Sequence, residues 1–65
     1  MEEQIRISIK SARINKGLTQ AEAGRLIGVT PTTLGNWECG KSHPSIEKAR
    51  KVSEVYGMSL NTLIF

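Results

Sequence analysis

The chain lacks most of what fixes a small protein covalently or encloses a reaction site. Cys39 is the single cysteine in 65 residues, so neither an intramolecular disulfide nor a multi-thiolate metal centre can hold the core together. Aromatic residues number three and prolines two, and aspartate is absent, all six acids being glutamate. No apolar run approaches the roughly 18 residues a membrane span needs. The Met-Glu-Glu-Gln start has none of the basic and apolar regions of a signal peptide. A cytoplasmic location without a membrane partner is therefore expected. A chain of this length forms one domain, residues 1–65, and buries only about 60% of the surface its unfolded form exposes. Packing, including packing against a partner subunit, has to supply the stability.

What is present fits a folded, mildly basic chain. The hydrophobic fraction is 38%, and nine Lys and Arg against six Glu leave a net charge of +3. Placement matters more than total. From Pro31 to Ser45 the only acid is Glu38, against Lys41 and the titratable His43, so an anionic partner is permitted there.

Helix starts recur at short intervals. Thr19-Gln-Ala-Glu22 has the capping-box pattern, in which Thr and Glu side chains satisfy each other's free backbone N–H. Thr30-Pro31 is a second start, since Thr caps well and Pro at the first helical position lacks only an N–H that would be unpaired anyway. Ser45 precedes an apolar stripe of Ile46, Ala49, Val52, Val55 and Tyr56, which Gly57 ends. Ser59 opens a short final turn in which Leu60, Leu63 and Ile64 share a face. The first segment reads two ways. Ile5, Ile7 and Ile9 alternate as in a half-buried strand, whereas Ile5, Ile9, Ala12 and Lys16 fit a helix. Helix is preferred, because no partner strand is visible and two strands alone are marginal. The expected architecture is all-α, a compact bundle of five helices at roughly 4–16, 19–27, 30–39, 45–56 and 59–64.

Only Gly28 and Val29 separate the second and third helices. That spacing is too short for antiparallel packing and suits a helix-turn-helix crossing of roughly 90–120°. Gly24 falls where the two helices approach, and Gly28 can take the positive φ of a tight turn. Leu34 and Trp37 form the inward stripe of the third helix. At about 100° per residue, with Leu34 at 0°, Thr32, Asn36 and Cys39 fall near 160°, 200° and 140°, opposite the core, with Thr33 and Gly35 on the flanks. A small polar face opposite an apolar stripe suits entry into the DNA major groove, where Asn pairs bidentately with adenine and Thr offers a hydroxyl and a methyl. Simple solvent-exposed polar residues would look the same from the helix alone.

Several runs together, Gly17-Leu-Thr-Gln20, Gly28-Val-Thr30, Trp37-Glu-Cys-Gly-Lys41 and Pro44-Ser45, with Arg13 in the first helix, resemble the Cro and phage-repressor, or XRE-type, helix-turn-helix family over nearly the whole chain. The resemblance implies a lambda-repressor-like fold and base contacts from Thr32, Thr33 and Asn36. It implies phosphate contacts from Gln20 at the second helix start and from Lys41 and Ser42 after the third. Thr19 adjoins Gln20 but is better explained as a cap. Arg13 and Glu38 match a family ion pair that orients the reading helix, and Arg13 is a further candidate for a phosphate. His43 is as well read as an exposed loop residue, and Arg25, Lys48, Arg50 and Lys51 as solvated helix faces.

The sequence departs from the family pattern at two positions. Ala23 stands where a larger apolar residue is usual, leaving space for Ile5, Ile9 or Phe65. Gly35 removes a side chain at a cost of about 1 kcal/mol in a helix interior, and is read as allowing closer approach to DNA. Cys39, Glu38 and His43 superficially resemble a catalytic set, but no pocket or oxyanion site is foreseen. No catalytic residue, metal or cofactor is therefore expected. A single such helix reads too few base pairs to select a site, whereas a two-fold dimer reads half-sites about 34 Å apart. Leu60, Leu63, Ile64 and Phe65 are expected to form the homodimer contact, the alternative being that they close the monomer core. The expected function is a sequence-specific regulator, a repressor, binding an inverted-repeat operator in double-stranded DNA. The alternative is an antitoxin-like module whose main partner is a protein.

Overall fold

The computed structural model describes residues 6–65. A short strand β1 (Ile7–Ser8) leads into α1 (Ile9–Asn15). Then come α2 (Gln20–Ile27), α3 (Pro31–Glu38), α4 (Ile46–Tyr56) and a second short strand β2 (Leu63–Ile64). The described chain is mostly helical with four helices. Two elements correct the sequence expectation. The first helix begins at Ile9, with Ser8 as its cap accepting the Ser11 N–H, and Ile7 and Ser8 before it are extended; the expected start at 4, and Ile5, lie outside the described residues. The expected fifth helix is a turn followed by a strand. Thr62 N–H bonds the Ser59 carbonyl and Asn61 N–H bonds the Ser59 hydroxyl, after which the chain extends and pairs in parallel with β1, Ile7 opposite Leu63 and Ser8 opposite Ile64.

The cause of both corrections is the same. The alternation at Ile7 and Ile9 finds its partner at the opposite end of the chain, where Ile7 N–H donates to the Thr62 carbonyl at 2.8 Å. A two-residue ladder does not stand by itself. Here Ile9 and Leu63, 1% and 2% exposed, anchor the two extended segments in the helical core.

The remaining helices follow their local signals. Thr19, Thr30 and Ser45 each cap a helix by accepting the N–H three residues on, and the Thr19/Glu22 capping box is complete. α2 ends on Gly28 at φ 95° and α4 on Gly57 at φ 67°, a backbone region open to glycine at little steric cost. The core gathers Ile9, Ala12, Ala23, Ile27, Leu34, Trp37, Val52, Tyr56 and Leu63. Ala23 is fully buried, in the cluster that contains Ile9 and against which Phe65 packs. Among the described residues no helix is long and apolar enough to cross a membrane.

Candidate nucleic-acid interface

The helix-turn-helix geometry depends on one close approach. A Cβ on Gly24 would stand 2.7 Å from the Val29 carbonyl oxygen and 3.5 Å from the Pro31 nitrogen, so backbone of the turn lies directly on α2. Gly28 N–H and Val29 N–H both bond the Gly24 carbonyl, at 2.7 and 2.8 Å. The turn therefore closes on the same residue that lacks a side chain, and α3 starts at an angle fixed by backbone contact.

α3 is held by Leu34 and Trp37, 0% and 6% exposed, and turns Thr32 outward while Thr33 and Asn36 stand half-exposed. The Thr32 hydroxyl and the Asn36 amide make no hydrogen bond among the described residues. Thr33 is more committed, since the Thr30 hydroxyl donates to its hydroxyl at 3.0 Å and accepts its backbone N–H. Beyond α3 the chain folds back through Gly40 at φ 80°. Lys41 N–H and Ser42 N–H both donate to the Asn36 carbonyl, at 2.9 and 3.3 Å. Lys41 and Ser42, both exposed, are thereby fixed beside Asn36. The structure thus brings together Thr32, Asn36, Lys41 and Ser42. His43, also exposed, follows in the same loop.

On the other flank of α3 lies a charged clamp. The Arg13 Nε donates to Glu38 Oε2 at 2.7 Å, one Arg13 amino group donates to Glu38 Oε1 at 3.3 Å, and the other donates to the Leu18 carbonyl at 2.8 Å. The side chains are only 10% and 4% exposed. This bidentate pair ties α1 to the end of α3 with charge-assisted bonds. Arg13 is 9% exposed and uses one donor from each of its three nitrogens within the protein. The same geometry takes Glu38 out of the thiol, acid and imidazole set, because both carboxylate oxygens are occupied. Cys39 is exposed, with its thiol 3.7 Å from the Asn36 carbonyl.

Gln20, for which the family resemblance implies a phosphate contact, also donates from Nε2 to Glu38 Oε1 at 3.0 Å. The signal that could have revealed this is the i, i+3 spacing of Gly35 and Glu38, which puts a gap and an acceptor on the flank facing the start of α2. Thr19 is exposed, and its hydroxyl accepts the Glu22 N–H while Glu22 accepts the Thr19 N–H. Those bonds hold the Glu22 carboxyl below its ordinary pKa, the Thr19 backbone N–H first and its hydroxyl second. Behind the clamp the Tyr56 hydroxyl is buried without a hydrogen-bond partner among the described residues. Burial first, and the Glu38 charge second, push its pKa up to about 12, against a smaller opposing effect of Arg13. No group of three or more His, Cys, Asp or Glu among the described residues is placed to hold a metal ion.

The pattern of the helix-turn-helix family matches residues 9–63, spanning all four helices and ending at the first residue of β2. The chain belongs to this family, in its Cro and phage-repressor form. Over 56 residues it is 30% identical to the SPbeta prophage-derived HTH-type transcriptional regulator YonR of Bacillus subtilis, covering 86% of this chain and 52% of that protein. The HTH-type transcriptional activator BcrR of Enterococcus faecalis is 27% identical over 86% of this chain and 28% of its own length. An HTH-type transcriptional regulator of Archaeoglobus fulgidus is 32% identical over 91% of this chain and 84% of its own length. The chain thus spans about half of the first of these relatives and about a quarter of the second. No solved structure is a significant match.

Within this helix-turn-helix protein the four C-terminal apolar residues divide. Leu63, expected at a subunit contact, is 2% exposed and belongs to the monomer core, because as the inward residue of β2 it faces the helices. Phe65 is half-buried against the same core. Leu60 and Ile64 are 37% and 46% exposed and keep apolar surface outside the core.

Proposed function

We propose that this chain is a sequence-specific reader of double-stranded DNA that regulates transcription as a homodimer, acting as a repressor by occupying an inverted-repeat operator. The observation that carries the proposal is the face of α3. The Asn36 amide and the Thr32 hydroxyl make no hydrogen bond among the described residues, while the helix beneath them is fixed by Leu34, Trp37, the Gly24 contact and the Arg13–Glu38 clamp. Side chains left unpaired on a rigid helix can meet base edges without first breaking protein contacts. Lys41 and Ser42, fixed beside Asn36, supply the phosphate contacts that set register without carrying sequence information. Thr19, exposed at the start of α2, is a further phosphate contact. The subunit contact uses Leu60, Ile64 and the exposed part of Phe65, without Leu63.

Binding-site selection from random duplexes tests the whole reading. An inverted repeat with half-site centres about 34 Å apart is expected. Asn36→Ala should lose about 1–3 kcal/mol of discrimination at one or two positions. Lys41→Ala should weaken all sequences alike and lower the salt slope by about one. Absence of any enriched sequence, together with a monomer lacking DNA affinity at low salt, would favour a protein-binding module instead.

A further inference from the structure

We propose that Glu38 is a positioning residue for a DNA-backbone contact made by Gln20: by accepting one amide N–H it holds that side chain in the orientation that offers the other N–H to a phosphate oxygen. This rests on the DNA-reading function above and deepens it. Gln20 is the first residue of α2, where the free amides and positive end of a helix favour an anion. Its Nε2 donates across to Glu38 Oε1 on α3 at 3.0 Å. Glu38 does not need that bond. Arg13 already donates to both carboxylate oxygens, at 2.7 and 3.3 Å, so the clamp would stand without Gln20.

The side chain that gains is Gln20. A Cβ built on Gly35 would lie 3.5 Å from Gln20 Nε2 and 3.8 Å from Oε1, so the amide lies over bare helix on one side and meets Glu38 at its edge. Ionised Glu38 accepts hydrogen bonds only, and the edge turned to it is therefore N–H. The second N–H diverges from Glu38 on a half-exposed side chain and has no partner among the described residues. A phosphate presents acceptors only, so this donor suits it while Oε1 faces away. Arg13 offsets the Glu38 charge, which by itself would repel the phosphate. The Glu38 bond also removes, before DNA arrives, the rotamer freedom that an unheld Gln would lose on binding.

In the full chain without DNA, NMR relaxation should give the Gln20 side-chain amide an order parameter near that of rigid backbone, about 0.85. A value below about 0.6, that of a flexible group, would overturn the proposal. On a duplex selected from random sequence, each phosphate is then replaced in turn by neutral methylphosphonate. One replacement in each half-site should weaken binding by the unaltered chain about tenfold, the worth of one hydrogen bond to a charged group, and should be silent with Gln20→Ala. If Gln20→Ala silences none, Gln20 meets no phosphate and the proposal falls. The acceptor is tested without stranding a charge, since a buried ion pair exchanged for apolar groups of similar size is often neutral for stability. Arg13→Met/Glu38→Leu should fold and select the same bases, but lose the phosphate effect that depends on Gln20. Arg13→Met/Glu38→Gln restores a carbonyl acceptor and should restore that effect. Equal phosphate effects in the two, or base preference lost together with the phosphate effect in the first, would reduce Glu38 to a support of α3 and overturn its positioning role. If the unaltered chain selects no sequence, the DNA-reading function fails and this proposal with it. A mobile Gln20 amide with selection intact would overturn the proposal alone.

Discussion

The helix-turn-helix unit and the pairing of the two ends of the chain are built on different terms. In the first, the caps and turns join residues close in sequence: Thr19 with Glu22, Gly24 with Val29 and Pro31, Asn36 with Lys41 and Ser42. In the second, β1 and β2 meet only after the intervening helices have folded, through four residues and a core contact at Leu63. The difference teaches where this protein places its rigidity. α3 is fixed by local backbone geometry and then locked by the longer-range bonds of Glu38 with Arg13 and Gln20. The ends contribute closure of the core.

Four perturbations would break or sharpen that contrast, and a domain of this length has a total stability of roughly 3–10 kcal/mol to lose. The largest effect is expected from Glu38→Ala. It strands the buried Arg13 charge and frees Gln20, costing about 3–5 kcal/mol, enough to leave much of the protein unfolded in chemical denaturation. A cost below about 1 kcal/mol would mean that the local unit holds α3 without its clamp. Leu63→Ala should cost about 2–5 kcal/mol by opening a cavity between the strands and the helices. Hydrogen exchange should then show the Ile7 amide losing protection before the α2 and α3 amides, and simultaneous loss would erase the distinction between the two regions.

An alkaline titration gives a smaller, signed effect. Tyr56 ionises near 10 when unfolded and is pushed up to about 12 when folded. Between these values the unfolded state has released a proton that the folded state keeps, so stability falls as pH rises from about 10 to 12. Tyr56→Phe should remove that part of the slope in thermal melts; an unchanged slope would assign it to other groups. The smallest effect is a gain. Gly35→Ala should stabilise by up to about 1 kcal/mol through helix propensity, since its methyl meets the Gln20 amide at 3.5 Å. A loss of stability in denaturant titration would show that the amide cannot yield.

The legibility of the candidate site follows the same division. Thr32, Asn36, Lys41 and Ser42 were readable because helical periodicity and a glycine-terminated loop place them within one turn of each other. Gln20 was legible as a position, and its role was not, because its bond to Glu38 crosses between helices. Arg13 was read correctly as a partner of Glu38. Its burial depends on how tightly α1, Leu18 and α3 converge.

By itself the sequence determined three helix starts through Thr19, Thr30 and Ser45, the turn at Gly28 and the inward stripe of Leu34 and Trp37, because capping bonds and periodicity act within one or two turns. Only the tertiary structure decided that Ile7 is strand rather than helix, that Leu63 belongs to the core, and that the Gln20 amide covers Gly35. The physical reason is common to all three. A two-residue strand, an apolar residue near a terminus and a glycine within a helix have no strong local preference, and each takes its state from a partner distant in sequence.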